Sequence, residues 1–305
     1  MVDWLAGKRA KGTSSERTGL GTPLAFTDTT VSKTGVKVYY NFEQTSGSLT
    51  NIATTGNGFS DGLGSSLDAT VTGSPTRTTT GKLGSYATTN VDGAYFTLPN
   101  TSGNSSLAFL TDSSYSLSFW IKKASSGVSA IISSTSGSAG WSGYCLQIIP
   151  STGNLNYFRR AGNSGGAPYG EQVSYSGAIT DTDWHHVIIT GTSSSGGAKL
   201  YIDGSEKTFS IDYSDSMSGS SYHYSNLTLF GYGSSFVGTY GESEHTLDEF
   251  VIFNRTLSSS EASTLYNQQV LGVLNIQDGT IFEETDTNKA YRWNASTTTW
   301  TQLWC

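Results

Sequence analysis

Cysteine, proline and charged residues are scarce in this sequence. Of its 305 residues, 2 are Cys, 5 are Pro and 13% are charged. Cys145, within an apolar run, and Cys305, at the last position, cannot form the network of bridges that stabilises a disulfide-rich fold. The formal net charge of −7 does not suit a groove for nucleic acid. We therefore expect neither a disulfide scaffold nor a nucleic-acid partner.

Long apolar runs are also absent. No segment approaches the ~20 consecutive apolar residues that span a bilayer, so no membrane insertion is expected. The opening sequence, MVDWLAGKR, has no apolar stretch typical of a secretory leader. We expect a protein that stays inside the cell or leaves it by another route, such as virus assembly followed by lysis.

Glycine and aromatic residues, by contrast, are plentiful. The chain contains 36 Gly, and 12% of its residues are aromatic. Aromatic and β-branched side chains fit pleated sheets, and Gly-rich turns separate short strands. Apolar and polar residues alternate at 36–42 and 116–122, as in half-buried strands. The sequence therefore predicts an all-β protein.

Three regions follow from the pattern. Residues 1–34 show no sustained period and are predicted to be an extended N-terminal arm that needs a partner surface to become ordered. Its first 20 residues contain four basic and two acidic side chains, whereas the rest of the chain is acidic. Residues 35–270 are predicted to form one sandwich, and residues 271–305 a small C-terminal β-hairpin unit.

The end of the predicted sandwich has the most specific sequence. Residues 247–258, LDEFVIFNRTLS, are predicted to leave a buried strand and enter a short helix. Ser258 and Glu261 have the spacing of a capping box, in which each side chain binds the other residue's backbone N–H group. The helix is expected to run from Glu261 to about Gln269.

Four motifs follow one another between Val36 and Gln269: YYNFE at 39–43, SFWIK at 118–122, the hairpin WHHV at 184–187 with KLYIDG at 199–204, and the closing segment 247–258. Their order resembles the laminin-G-like, concanavalin-A-like jelly roll. This resemblance implies an antiparallel sandwich, a fold used mostly to hold glycans or other extracellular ligands.

Both ends of the chain resemble virion proteins. Residues 3–17 are similar to the start of structural proteins of some tailed viruses, and residues 279–304, with ETDTN before Y-x-W, to a β motif of phage tail proteins. The resemblance implies a virion location, other virion proteins as partners and a homo-oligomer. A unit of roughly 30 residues is too small to fold alone. The candidate subunit contacts at the two ends of the chain are Trp4, Phe282, Tyr291, Trp293, Trp300 and Trp304.

Candidate glycan-binding residues are aromatic residues in stretches rich in Gly and Ser. These stretches are predicted to be loops, and loops on a rigid scaffold often carry binding. Flat aromatic rings suit sugars, and a host surface glycan is the expected ligand. The alternative is that the rings pack at loop bases or against other subunits. The candidates are Trp141, Tyr169, Tyr175, Tyr222 and Tyr224.

Catalysis is not expected. Retaining glycosidases need two carboxyl groups ~5–5.5 Å apart, and the sandwich-fold glucanases carry them in a Glu-x-Asp-x-x-Glu pattern that this chain lacks. Asp248 and Glu249 are adjacent in a predicted strand and should point to opposite faces. His185 and His186 should also diverge, so that one packs and the other meets solvent.

The resemblance also implies calcium as a cofactor. Jelly rolls of this type often hold one Ca²⁺ near the sheet rim, and the matching positions are Glu43 and Asp248. Calcium takes ~6–8 oxygen ligands, yet residues 44–57 contain no acid. The alternative is that Asp248 caps a neighbouring turn.

Together these patterns favour a non-enzymatic virion structural protein, such as a capsid decoration, a spike or a tail fibre component. It would display its sandwich for attachment to glycan or the host surface. The first alternative is a secreted or cell-surface carbohydrate-binding module, with an extracellular location. The weaker alternative is a glycan-cleaving enzyme of the sandwich fold.

Overall fold

The fold is described by a computed structural model of the whole chain. By the density of its contacts the chain forms two compact units, one of Met1–Ser32 with Ser263–Cys305 and one of Lys33–Ala262. The predicted division into three regions stays a prediction. The structure describes residues 3–5, 9–14, 17, 23–89, 94–99, 107, 110, 113–126, 130–136, 142–161, 169–192, 196–214, 227–231, 244–271, 278–294, 296–297 and 299–304.

The described elements are short strands with one α-helix and three 3₁₀ turns. In chain order the strands are β1 (Asp3–Leu5), β2 (Arg9–Gly12), β3 (Val36–Tyr40), β4 (Thr70–Thr72), β5 (Thr76–Thr78), β6 (Ala87–Thr89), β7 (Tyr95–Leu98), β8 (Tyr115–Lys122), β9 (Ala130–Ser136), β10 (Ser142–Ile148), β11 (Leu155–Ala161), β12 (Tyr169–Tyr175), β13 (Trp184–Gly191), β14 (Lys199–Ile202), β15 (Ser205–Lys207), β16 (Ser210–Ser214), β17 (Leu227–Leu229), β18 (Thr246–Phe253), β19 (Ile281–Glu284), β20 (Ala290–Asn294) and β21 (Thr299–Trp304). The helix is α1 (Ser259–Leu271), and the 3₁₀ turns are Phe26–Asp28, Thr55–Asn57 and Gly64–Leu67.

Two antiparallel sheets form the sandwich. Sheet I has the order β16-β12-β11-β10-β9-β17-β7-β4, and sheet II the order β15-β14-β13-β8-β18-β6-β5, with β3 also paired to β18. One cluster of aliphatic and aromatic side chains, drawn from both sheets, lies between them. Burying a side chain such as Phe119 contributes ~1.5–3 kcal/mol. The all-β jelly-roll prediction is confirmed.

Sheet II is built around the predicted hairpin. β13 pairs with β8 along its whole length and with β14 on its other side. Alternate residues of these strands face the core, as the sequence pattern predicted. The β14–β15 turn consists of Asp203 and Gly204, whose φ angles are 51° and 72°. Positive φ at both central residues is the type I′ geometry, which Asp-Gly favours.

The capping box at the end of the sandwich is confirmed. The N–H of Glu261 donates to Ser258 Oγ at 3.2 Å, and the N–H of Ser258 donates to Glu261 Oε2 at 3.0 Å. Both bonds satisfy N–H groups that a helix start leaves without partners. The helix begins at Ser259, two residues earlier than predicted, and ends at Leu271.

The five-stranded sheet, here called the terminal sheet, joins the two ends of the chain. Its order is β1-β2-β19-β20-β21. β19, β20 and β21 form antiparallel pairs, whereas β2 pairs with β19 in parallel. Residues 9–12, which the sequence places in an arm, are therefore an inner strand of this sheet. No helix within the described part of the chain is long and apolar enough to span a bilayer.

Candidate functional site

A row of polar side chains crosses the outer face of sheet I. Gln147, Asn156, Ser174 and Ser210 are successive cross-strand partners on β10, β11, β12 and β16. The first three are half-buried and Ser210 is exposed. Neighbouring strands are ~4.8 Å apart, so the row extends over about 14 Å. It presents amide and hydroxyl groups without a charge, and we call it the amide row.

The amide row borders a covered part of the same face. Cys145, Ser133 and Thr228 are partners on β10, β9 and β17, one step along the strands, and are at most 3% exposed. Because these three residues point away from the sandwich core, other parts of the chain must cover them. The burial raises the pKa of the Cys145 thiol, which makes it an inert packing group.

Several strand ends meet at one end of sheet I, and two candidate aromatic residues adjoin them in the sequence. β10 begins after Trp141, β12 begins at Tyr169, and β16 ends before the segment that holds Tyr222 and Tyr224. The antiparallel registers bring these strand ends together. Trp141, Tyr222 and Tyr224 lie outside the described residues, as does the Tyr169 side chain.

Tyr175 lies at the other end of sheet I. It ends β12, six residues after the strand begins at Tyr169, and it packs half-buried against the sandwich core. The prediction that Tyr169 and Tyr175 lie in loops is wrong, since both belong to a strand. The glycan-binding role of the five aromatic residues stays a prediction. Sequence reasoning missed the amide row, although the alternation at Leu146-Gln147-Ile148 and Leu155-Asn156-Tyr157 indicates that Gln147 and Asn156 face outward.

A buried ion pair lies in the sandwich beneath the same end of sheet I. Arg159 Nε donates to Glu171 Oε2 at 3.1 Å, and both side chains are completely buried. Arg159 Nη2 donates to the Thr192 carbonyl at 2.5 Å, and the N–H of Ala198 donates to Glu171 Oε1 at 3.1 Å. The pair thus fixes the ends of β11 and β12 to the connection between β13 and β14.

The two predicted calcium ligands hold one loop by its backbone. The N–H of Leu83 donates to Asp248 Oδ2 at 2.9 Å. The N–H groups of Ser85 and Tyr86 donate to the Glu43 carboxylate, each at 3.1 Å. Glycine is favoured at position 84, because its φ of 68° is rarely adopted by other residues and a Cβ there would displace the Glu43 carboxylate.

This arrangement does not fit a calcium site. Calcium needs a shell of oxygen ligands, whereas these carboxylate oxygens face N–H donors. Across the ranges that the structure describes, no three His, Cys, Asp or Glu side chains are grouped to hold a metal ion. The calcium prediction itself remains to be tested, and the turn-capping alternative accounts for the contacts of Asp248.

Asp248 and Glu249 do not point to opposite faces as the sequence predicts. The register of β18 shifts between Asp248 and Val251, and Glu249 has a φ of 52°. This bulge adds a residue to the strand, so Glu249 turns to the outer face and accepts the Tyr39 hydroxyl at 2.7 Å. Burial raises the pKa of Asp248, and the nearby Glu249 raises it further. Both carboxylates lie within a buried structural network, away from the amide row.

The two adjacent histidines have opposite surroundings. His185 lies between two carboxylates, with Nδ1 2.7 Å from Asp203 and Nε2 2.9 Å from Asp181. The hydrogen bond with Asp203 raises the pKa of His185 to about 9. His186 is buried against the Trp120 ring and bonds Ser118 Oγ, and burial lowers its pKa to about 3. The charged His185 therefore clamps the hairpin, while the neutral His186 packs.

The aromatic residues of the terminal sheet mostly pack on one another. Phe282 and Trp293 are at most 2% exposed, and the half-buried Trp300 contacts both rings. Tyr291 lies beneath the Arg17 guanidinium at 3.7 Å. Phe282 and Trp293 are thus buried inside their own unit. Subunit contact stays a prediction for the set; the structure places Trp4 and Trp304 in β1 and β21 but does not describe their side chains.

Comparison with known proteins agrees with this architecture. Residues 88–263 match a laminin G-type family described as the Concanavalin A-like lectin/glucanases superfamily. The chain belongs to this superfamily. The match covers more than half of the chain. The name of the superfamily includes both lectins, which bind sugars, and glucanases, which cleave them. Among curated proteins, no relative is detected.

Several solved structures share the fold of this superfamily member at low identity. The binding domain of botulinum neurotoxin DC, in complex with rat synaptotagmin II, is 14% identical with a TM-score of 0.50; the match covers 82% of this chain and 53% of that one. Domain 4 of AbnA, an arabinanase from Geobacillus stearothermophilus in complex with arabinotriose, is 19% identical with a TM-score of 0.50, covering 76% and 98%. Trypanosoma rangeli sialidase with the inhibitor DANA is 14% identical with a TM-score of 0.51, covering 85% and 37%. The chain thus spans about half of the neurotoxin domain.

Proposed function

We propose that this chain is a non-enzymatic attachment protein of a virion that binds glycan on the outer face of sheet I. The amide row carries the proposal. Amide and hydroxyl groups pair with sugar hydroxyls, and an uncharged, half-exposed row across four strands suits a neutral glycan chain. The predicted aromatic residues Trp141, Tyr169, Tyr222 and Tyr224 would add stacking surfaces beyond the row.

The rigid base supports the same proposal. Binding groups on a sandwich are effective when their supporting elements do not move. The Arg159–Glu171 pair and its backbone contacts fix the ends of β11 and β12, and β12 begins at the candidate residue Tyr169. The solved structure of domain 4 of AbnA is a complex with arabinotriose, which supports a sugar ligand for this fold.

The virion setting is supported by the two ends of the chain. The segments that resemble virion proteins, at 3–17 and 279–304, contribute strands to the same terminal sheet through β2 and β19. One compact unit therefore combines both resemblances. In this proposal the terminal sheet serves assembly with other virion proteins, and the sandwich serves attachment to the host surface.

A glycan array with the full chain tests the ligand, followed by titration of any glycan that binds. Replacing Gln147 and Asn156 together by Ala should weaken binding roughly 10- to 30-fold, since each lost hydrogen bond contributes ~1 kcal/mol. Thr72→Ala, at the far edge of the same sheet, is the matched control and should bind normally. An array without hits, or equal binding by both variants, would overturn the amide row as a site.

The alternative is a secreted or cell-surface carbohydrate-binding module, favoured by the fold shared with domain 4 of AbnA. Mass spectrometry of purified virus particles distinguishes a virion protein from a secreted module, because an attachment protein remains with the particle at a fixed copy number. The weaker alternative, a glycan-cleaving enzyme, has a sialidase among its fold relatives. Release of reducing ends from any glycan that binds would establish it.

A further inference from the structure

The strand β2 of the terminal sheet contacts the C-terminal hairpin as a separate peptide ligand would. Residues 9–14 and 17, here called the arm segment, lie against the C-terminal hairpin, residues 281–294. We propose that the arm segment is exchanged between copies, so that the hairpin of one chain binds the arm segment of a second. This inference rests on the assembly role proposed for the terminal sheet and names a contact between copies of the chain that would provide it.

The arm segment fills an apolar site on the hairpin. Ala10 is the register partner of Phe282, and both are completely buried. Together with Trp293 they form the small core of the terminal sheet, with Trp300 packed against it. A hairpin without the arm segment would expose the Phe282 ring, so the site requires an occupant.

The hairpin turn provides polar anchors for the next residues. The N–H of Ser14 donates to Asp286 Oδ1 at 2.8 Å, and Ser14 Oγ donates to Asp286 Oδ2 at 2.6 Å. The N–H of Thr285 donates to the Gly12 carbonyl at 2.7 Å. The ETDTN motif is therefore a receptor for residues 12–14, a role that the sequence alone does not reveal.

Opposite charges complete the recognition. Arg9 and Lys11 both pair with Glu283. Arg17 pairs with the buried Glu284 carboxylate at 2.6 Å, and its guanidinium lies over the Tyr291 ring at 3.7 Å. A basic strand thus meets an acidic hairpin, which selects the arm segment of a like chain over an unrelated strand.

Nothing in these contacts depends on which chain supplies the arm segment. Exchange keeps every bond and changes only the covalent connection, which makes it a low-cost route to assembly. That connection is short, since five residues of sequence TGLGT separate Arg17 from Pro23. Hinge length controls exchange between copies, so this connection is the place at which exchange can be altered.

Disulfide trapping in full chains tests the exchange. Lys11 and Glu283 are register partners in the parallel pair β2–β19, and neighbouring strands bring Cα atoms within the range that a disulfide spans. Chains carrying Lys11→Cys are co-expressed with chains carrying Glu283→Cys, both with Cys305→Ser. We expect a cross-linked dimer of the two variants on a non-reducing gel.

The double variant in one chain is the matched control and shows that the pair can be oxidised. If the double variant forms the disulfide within a monomer and the mixed variants form none, exchange is wrong. Linker variants give a second measurement, because a longer linker raises closure within one chain. Deleting two residues from 18–22 should raise the oligomer fraction in light scattering at least twofold, and inserting six Gly and Ser residues should lower it.

Identical masses for all linker variants at every concentration would contradict exchange. Glycan binding is measured on the same proteins and is independent of this outcome. A chain that stays monomeric and binds glycan overturns the exchange alone, whereas an exchanging chain without glycan binding overturns only the amide row.

Discussion

The sandwich encloses a continuous core of aliphatic and aromatic side chains from both of its sheets, whereas the core of the terminal sheet consists of Ala10, Phe282 and Trp293. The terminal sheet compensates with ion pairs and turn hydrogen bonds between segments some 270 residues apart in the chain. Burial of apolar surface hardly responds to salt, while partly exposed charges do. The two units should therefore differ in what destabilises them.

The largest expected effect concerns the ion pair inside the apolar sandwich. Arg159→Met leaves the Glu171 carboxylate buried without its partner and should lower the free energy of unfolding by about 3–5 kcal/mol. Denaturant unfolding followed by Trp fluorescence measures it. The matched variant, Arg159→Met with Glu171→Leu, removes both charges and should lose less. An equal or larger loss in the double variant would mean that the pair stabilises through packing.

The terminal sheet should respond to loss of a charge and to salt. Glu284→Gln removes the partner of Arg17 and should increase hydrogen exchange of residues 9–12 about fivefold, since a partly buried pair contributes ~1 kcal/mol. High salt should have a similar effect on the unchanged protein. Glu206→Gln, which breaks the exposed Lys199 pair of the sandwich, is the control and should change little. Unchanged exchange at 9–12 would contradict the contrast between the units.

His185 should make the sandwich sensitive to alkaline pH. Its pKa is about 9 in the folded chain and ordinarily 6.5. Because the folded value is the higher one, its stabilisation is complete below pH 6.5 and is lost as the pH rises to 9. His185→Gln should thus lower the melting temperature more at pH 6 than at pH 9.5. Lys199→Gln is the control, because Lys199 stays charged over this range. A difference that does not vary with pH would refute the clamp.

The smallest effect is expected from calcium. Because Glu43 and Asp248 accept N–H groups of one loop, we expect the same melting temperature in Ca²⁺ and in chelator. Glu43→Gln should lower the melting temperature equally in both solutions. A calcium-dependent rise that Glu43→Gln abolishes would instead restore the calcium site. Isothermal calorimetry after chelation provides an independent check.

The sandwich was the more predictable region because its signals are local. Alternation at 116–122 and the WHHV hairpin predict β8 and β13, since strand period and turn chemistry lie within a few residues. The Asp248–Glu249 step was mispredicted for the opposite reason. A bulge changes which face a side chain takes, and strict alternation cannot indicate it.

The terminal sheet and the candidate site were less predictable because their contacts are distant in sequence. The parallel pairing of β2 with β19 has no local signal in RAKG. β12, sequence YGEQVSY, has few apolar residues and is a strand because β11 and β16 pair with it on either side. The amide row depends on those pairings. Alternation can predict that a single residue faces outward, but only the order and register of the strands show that these residues lie side by side.

The parallel pairing of β2 with β19 also sets an order of events during synthesis. Residues 9–12 are translated long before residues 281–284, and domains translated early generally fold before later ones. The sandwich can therefore fold before the hairpin that pairs with residues 9–12 has been synthesised. During that interval residues 9–12 could reach a hairpin only on a chain that is already complete, so the delay between the two strands, rather than their affinity, would decide which chain provides the partner.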